Sequence, residues 1–359
     1  MDHKIKITRT RQSRISEVDF NNIPFGKVFA DHMFIADFDG QQWKNFEIRP
    51  LERIPLHPAT MAWHYGQGIF EGMKASITDD GTPLLFRPYD HADRLNVSAH
   101  RMCMPEFPTD LFVDALCQLV ALDKDWIPKG EDCALYIRPV MMATDEFVGV
   151  RSSDTYKLMI MNLPSGPYYN KPVSLLVEEK YVRAVDGGVG EAKAAGNYGA
   201  ALYPTKLAKD KGYDQVMWMD AHEFKYVQEV GTMNIFFVLK DVVLTPNLSG
   251  TILQGITRDS IITLLKDKGY KVEERPVSME EIYAAYKNNQ LVEVFGAGTA
   301  AVVANVNRIG YKNHELLFDP SQWSLSTLLK NEINGIRKGR IVDTHGWILP
   351  IPVEQEVAV

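Results

Sequence analysis

Lys193 stands alone among small residues in RAVDGGVGEAKAAGNYGA, the stretch from Arg183 to Ala200. Glycines at 187, 188, 190, 196 and 199 and alanines at 192, 194 and 195 surround it. Small residues on both sides let a bulky group approach the backbone. A lysine kept from water or set beside other cations loses its proton well below its free pKa of about 10.4. The neutral amine is a nucleophile that forms Schiff bases with carbonyl compounds. Taken alone, the simpler reading is a solvated loop lysine.

Other residues able to do chemistry are spread along the chain. Glu229 lies in KYVQEVGTMNIFFVL, where its neighbours are mostly apolar. A buried carboxylate needs a cationic partner, which a lysine, an arginine or a protonated ring nitrogen would provide. Gly255-Ile256-Thr257 opens a helix-like run, and a helix N-terminus presents N–H groups and the positive dipole end to an anion. An ordinary helix capped by Thr257 explains the same residues. Thr299 follows a second Gly-rich turn in LVEVFGAGT. Tyr136 and Arg138 share one face of the apolar strand CALYIRPVMM, which suits either a structural ion pair or a pocket for an anionic substrate. Tyr65 and Phe70, in AWHYGQGIFEGMKAS, read by spacing alone as core.

The elements that must position these residues alternate strands and helices. Strands are expected at 29–37, 43–48, 133–142, 155–163, 173–178, 215–220 and 291–299, with two more between 225 and 239 meeting near Gly231. Helices are expected at 88–102 with Pro88 in the first turn, at 109–122 with Leu111, Phe112, Ala115, Leu116 and Leu119 on one face, and at 278–286 and 325–338. A helix capped by Asn197 runs to about 211, with Pro204 kinking it or delaying its start and Gly212 ending it. Another follows Gly255 and stops at Gly269. The turn-rich segment 164–172 reads as a linker between a domain at 1–163 and a domain at 173–359.

Composition narrows the classes. The 359 residues suffice for about two domains, and 45% hydrophobic with 24% charged is an ordinary globular balance. A net charge of −7 argues against general nucleic-acid affinity. No apolar run approaches the roughly 18 residues of a membrane span. The first residues, MDHKIKITRTRQSR, are basic without an apolar secretion core, and acidic residues come early for a mitochondrial presequence. Cys103, Cys117 and Cys133 have no metal-ligand spacing, so the expectation is a reduced cytoplasm and no metal.

The order of these features resembles the fold-type IV pyridoxal-phosphate enzymes, and most closely the branched-chain-amino-acid aminotransferases. The matching stretches are HYGQGIFEGMKA, LFRPYDHADRL, ALYIRPV, GGVGEAKAAGNYG, EVGTMNIFF, LQGITR and VFGAGTA, which with their spacing span about residues 30–350. The resemblance implies an α/β (α+β) fold of two domains with the active site between them, pyridoxal 5′-phosphate as cofactor, and a homodimer. It implies reversible amino transfer between leucine, isoleucine or valine and 2-oxoglutarate. Lys193 corresponds to the Schiff-base lysine and proton carrier, Tyr198 to the phenol on the ring oxygen, and Glu229 to the partner of the ring nitrogen. Arg94, the backbone of Ile256 and Thr257, and Thr299 correspond to the phosphate cup. Thr232 and the backbone of Ala300 correspond to the α-carboxylate site, and Tyr65, Phe70 and Tyr136 to the side-chain pocket. Arg138 corresponds to the residue on the distal carboxylate of glutamate. The rival within the fold type is a D-amino-acid aminotransferase or an aminodeoxychorismate lyase, against which the Tyr136–Arg138 pair and the N-terminal extension argue. Where animal relatives carry Cys-x-x-Cys, this chain has Ala301 and Ala304, so no redox control is expected there. The remaining cysteines are expected to be buried and inert.

Overall fold

The computed structural model describes residues 4–352. The chain divides into two compact units, one running up to Tyr168 and resuming at Asn334, the other comprising Tyr169–Ile333. Among the described residues each unit is built on a nine-stranded sheet.

In the first unit the strand order is Lys6–Ile7, Trp43–Pro50, His32–Phe38, Tyr156–Ser165, Ala134–Ala143, Met73–Ile77, Pro83–Phe86 and Ile348–Pro350, with Gly68–Phe70 also paired to Ala134–Ala143. All pairings are antiparallel except that of Lys6–Ile7 with Trp43–Pro50. The helices Pro88–Arg101 and Thr109–Leu122 pack on each other, and the second lies against His32–Phe38. The apolar face expected for 109–122, Leu111, Phe112, Ala115, Leu116 and Leu119, is the buried one. Phe107 meets Phe34 and Phe112 edge-on beneath it.

In the second unit the order is Val227–Val230, Gln215–Met219, Val173–Val177, Val302–Tyr311, Leu291–Gly298, Asn234–Leu239, Val243–Thr245 and Val272–Glu274, with His314–Leu317 on Val302–Tyr311. Parallel and antiparallel pairs are mixed. The helices Ile256–Asp267 and Met279–Lys287 pack on Leu291–Gly298, and Leu202–Asp210 packs on Gln215–Met219. Leu175, Met217, Ile235, Phe237, Val294 and Val306 form the centre of its core.

Several local expectations change. Asn197 is not a cap: it sits inside the short helix Ala195–Ala200, which starts after extended Ala194. A separate helix begins at Leu202, so Pro204 falls in its first turn, where a missing N–H costs little. Thr257 is likewise inside its helix, whose N-cap is Gly255. The helix expected at 278–286 is Met279–Lys287, with Ser278 as its N-cap accepting a bond from the Glu281 N–H. The strand Val302–Tyr311 was not anticipated, because Asn305, Asn307 and Arg308 blur its alternation. It forms because Leu291–Gly298 and Val173–Val177 pair with its two edges.

The closing segment also differs from the sequence reading, which carried the second domain through 359. Ile348–Pro350 pairs with Pro83–Phe86, the Trp347 carbonyl accepts the Arg87 N–H at 2.6 Å, and the Trp347 ring meets Phe86 at 5.7 Å. These bonds join it to the first unit. Residues 1–3 and 353–359 of the two expected domains lie outside the described residues.

Candidate active site

Lys193 is half-buried, and its Nζ donates to the Tyr198 hydroxyl at 3.1 Å. The glycines and alanines of the stretch let the chain double back, and Asn197 holds the bend by donating to the Val189 carbonyl at 2.8 Å and the Ala192 carbonyl at 2.9 Å. Tyr198, on the turn of helix that follows, lines a cleft together with Arg183, Asn197, Glu229, Thr232 and Leu253.

Glu229 comes from the strand Val227–Val230, every residue of which is buried. Its Oε2 lies 3.2 Å from Arg183 Nε, and its Oε1 accepts the Leu253 N–H at 2.7 Å. Burial holds the Glu229 carboxyl above its ordinary value, and Arg183, the Leu253 N–H and Lys193 offset this only in part. Sequence reasoning required a cation here without choosing one. Arg183 opened the same conspicuous stretch, but nothing local tied it to Glu229.

Two turns meet at one end of the sheet. Gly231, with φ of +54°, links the two strands on either side of Thr232. Its N–H bonds the Val216 carbonyl at 2.7 Å, and its carbonyl accepts the Trp218 indole N–H at 2.9 Å. Asn234, just past this turn, pairs with Ala297, just before the turn that carries Thr299 and Ala300. The Met233 side chain packs over Gly296 and Gly298 of the neighbouring strand. Asn234 also donates to the Leu253 carbonyl at 3.0 Å, which holds the loop entering the helix Ile256–Asp267. Gly255 has no side chain to cap that helix, so Ile256 and Thr257 bring backbone N–H groups to its positive end.

The remaining expected site residues belong to the first unit. Phe70, Tyr136 and Arg138 come together: the guanidinium lies 4.6 Å from the Phe70 ring centroid, and Nη2 donates to the Tyr136 hydroxyl at 2.9 Å. Gly72 makes room, since a Cβ there would collide with that hydroxyl. Phe25 packs edge-on against Tyr136 at 5.1 Å. Tyr65 ends the helix Met61–Tyr65, is 40% exposed, and has His64 as a ring neighbour at 6.1 Å.

Arg94 donates to fully buried Glu71 through Nε at 2.7 Å and Nη2 at 2.9 Å, and His91 Nδ1 lies 2.8 Å from the same carboxylate. Burial works to raise the Glu71 carboxyl, but Arg94 and His91 outweigh it and hold the group well below the ordinary carboxylate range. Glu71 and His91 were missed as partners, although the FEG and DHADR motifs containing them had been noted.

The cysteines require a correction. Cys103 is exposed, because the chain turns there in a left-handed conformation with φ of +53°. Cys117 and Cys133 are partly buried, and burial pushes the Cys117 thiol up to about 11 and also raises that of Cys133.

This architecture has known counterparts. The family model described as amino-transferase class IV matches residues 68–309. The chain is 44% identical over 349 residues to branched-chain-amino-acid aminotransferase 2 of Bacillus subtilis, covering 96% of this chain and 95% of that protein. The crystal structure of the Escherichia coli branched-chain amino acid aminotransferase superposes with a TM-score of 0.72 at 26% identity, over 89% of this chain and 98% of that one. The Thermobaculum terrenum enzyme, solved in its pyridoxal-phosphate form, shares the fold with a TM-score of 0.72 at 24% identity, over 91% of this chain and 100% of that one. The chain belongs to the class IV aminotransferases, and within them to the branched-chain-amino-acid aminotransferase family.

Proposed function

We infer that this protein transfers an amino group reversibly between L-leucine, L-isoleucine or L-valine and 2-oxoglutarate, with pyridoxal 5′-phosphate as cofactor. The observation that carries the reading is the Lys193 amine bonded to the Tyr198 hydroxyl, with Tyr198 and Glu229 lining one cleft and the Lys193 charge acting on the Glu229 carboxylate. The donor set suits the cofactor. A buried carboxylate can face a protonated ring nitrogen, a phenol can face the ring oxygen, and an uncapped helix start can take a phosphate. Bound there, the cofactor supplies an electron-withdrawing ring and a carbonyl carbon that accepts and returns the amino group.

Lys193 Nζ tethers the cofactor and moves the proton of the substrate Cα. Tyr198 orients that amine. Glu229 keeps a negative charge at the ring nitrogen. The backbone of Ile256 and Thr257, the Thr299 hydroxyl and the Arg94 guanidinium hold the phosphate. Thr232 and the Ala300 backbone take the substrate α-carboxylate. Tyr65, Phe70 and Tyr136 receive the branched side chain, and Arg138 the distal carboxylate of glutamate. A homodimer in the cytoplasm is the state we assign to the working enzyme. Among the described residues no helix is long and apolar enough to cross a membrane.

The test is a panel of L- and D-amino acids added to the holoenzyme, followed by the change in cofactor absorbance. Leucine, isoleucine, valine and glutamate in the L form are expected to react. Reaction confined to D-amino acids would overturn the reading.

A further inference from the structure

We propose that Arg183 is a positioning residue: its guanidinium aims Glu229 as an anion and ties together the segments that carry Lys193, Glu229 and the helix start at Gly255. This deepens the functional reading above and rests on Glu229 as the ring-nitrogen partner. The Arg183 and Glu229 side chains are only 8% and 4% exposed. While Nε faces Glu229 Oε2 at 3.2 Å, Nη2 donates to the Gly190 carbonyl at 3.2 Å and to the Thr251 carbonyl. Gly190 lies just before Lys193 in the same loop. Thr251 lies in the loop whose Leu253 N–H holds the other oxygen of Glu229. The Nε contact is a charge contact without hydrogen-bond alignment, while Nη2 bonds two carbonyls, so one planar group sets a buried positive charge on Glu229 and pins both loops, which a lysine ammonium at the same place matches less well. The approach also needs Gly190, because a Cβ there would lie 2.5 Å from Ala184 Cβ and 2.7 Å from the Thr251 oxygen.

The charged groups acting on Glu229 are Arg183 and Lys193, and Tyr198 lines the same cleft. Removing the guanidinium leaves burial less opposed, so the carboxyl takes up a proton more readily. The defect of such a variant must therefore depend on pH, which loss of a mere packing contact would not.

Four holoenzymes test this: Arg183→Gln, Arg183→Lys, Glu229→Gln and the double Arg183→Gln/Glu229→Gln. Each is read by single-turnover absorbance with leucine from neutral to alkaline pH, by the pH titration of the cofactor's visible absorbance, and by cofactor retained on gel filtration. Arg183→Gln is expected to lose about 100-fold at neutral pH, toward the low end of what truncating one partner of a buried charge pair costs. It regains part of that loss as alkali ionises Glu229, and its absorbance titration shifts. Arg183→Lys recovers part of the neutral rate. The double variant is no more than about 3-fold slower than Glu229→Gln, as expected for residues that act as one unit.

An unchanged rate in Arg183→Gln overturns the proposal, as does a pH-independent loss that multiplies with that of Glu229→Gln. A normal rate in Glu229→Gln instead overturns the ring-partner reading itself. If Arg183→Gln does not fold, Arg183→Lys compared with Arg183→Lys/Glu229→Gln carries the same test of non-additivity.

Discussion

Lys193 and Arg138 carry the sharpest expectations at the scale of single residues. Lys193→Ala removes both the tether and the proton carrier. Turnover falls by at least about 10³-fold, within the range set by loss of a positioned acid–base group. Cofactor stays bound non-covalently, and borohydride no longer fixes it to the protein, as intact-protein mass measures. A borohydride adduct persisting in that variant would place the link on another lysine. Arg138 is held against Phe70 and Tyr136 in the first unit. If it meets the distal carboxylate, Arg138→Met costs the glutamate half-reaction about 2–5 kcal/mol and the leucine half-reaction much less. Equal losses in the two half-reactions, each followed by stopped-flow absorbance, would reduce Arg138 to support for the pocket wall.

Gly72 and Glu293 act through the elements they join. Gly72 precedes the strand Met73–Ile77, and the Tyr136 hydroxyl occupies the space a Cβ would need. Gly72→Ala forces Tyr136 to shift, at a cost of about 1–3 kcal/mol typical of overpacking. KM for leucine is expected to rise while cofactor content stays unchanged, which steady-state kinetics and cofactor absorbance together report. Glu293 lies in the strand Leu291–Gly298 and accepts the N–H groups of Ser324, Leu325 and Ser326 at 2.8–2.9 Å. It therefore caps the helix Leu325–Arg337 from another element. Glu293→Ala orphans those N–H groups and lowers stability by about 2 kcal/mol or more, read from urea unfolding. An unchanged midpoint would show that water caps the helix equally well.

At the scale of the whole molecule, depressed carboxylates set the acid limit. Glu71 in the first unit and Asp214 and Asp220 in the second titrate below their ordinary values. In each, burial acts to raise the carboxyl and is outweighed: by Arg94 and His91 at Glu71, by the Ser174 and Lys171 bonds at Asp214, and by backbone N–H groups at Asp220. A group depressed in the folded state stabilises above its unfolded pKa of about 4, and the gain is lost as pH falls through the folded value. Stability is expected to be flat above about pH 5 on this account and to drop steeply below about pH 4. Glu71→Gln removes part of that acid slope, at the cost of leaving Arg94 without its buried counter-charge. Thermal melts of the two proteins across acid pH check it, and identical slopes would remove Glu71 from the explanation.

Chemistry and local periodicity were legible in the sequence because both are properties of short windows. The helix at 109–122 was readable from its apolar stripe, and its bounds agree with the structure. The Gly-rich surroundings of Lys193, the turn at Gly231 and the helix start at Gly255 were legible for the same reason. The order of these motifs was enough to indicate the family. Tertiary structure alone decided which cation answers Glu229, because a buried carboxylate demands a partner without naming one, and Arg183 lies far from it along the chain. Distance in sequence likewise hid the Glu71–His91–Arg94 cluster, the return of Ile348–Pro350 to the first sheet, and the pairing of Val302–Tyr311 with Val173–Val177. Each depends on a surface that exists only once remote segments have packed, and no local pattern of side chains encodes it.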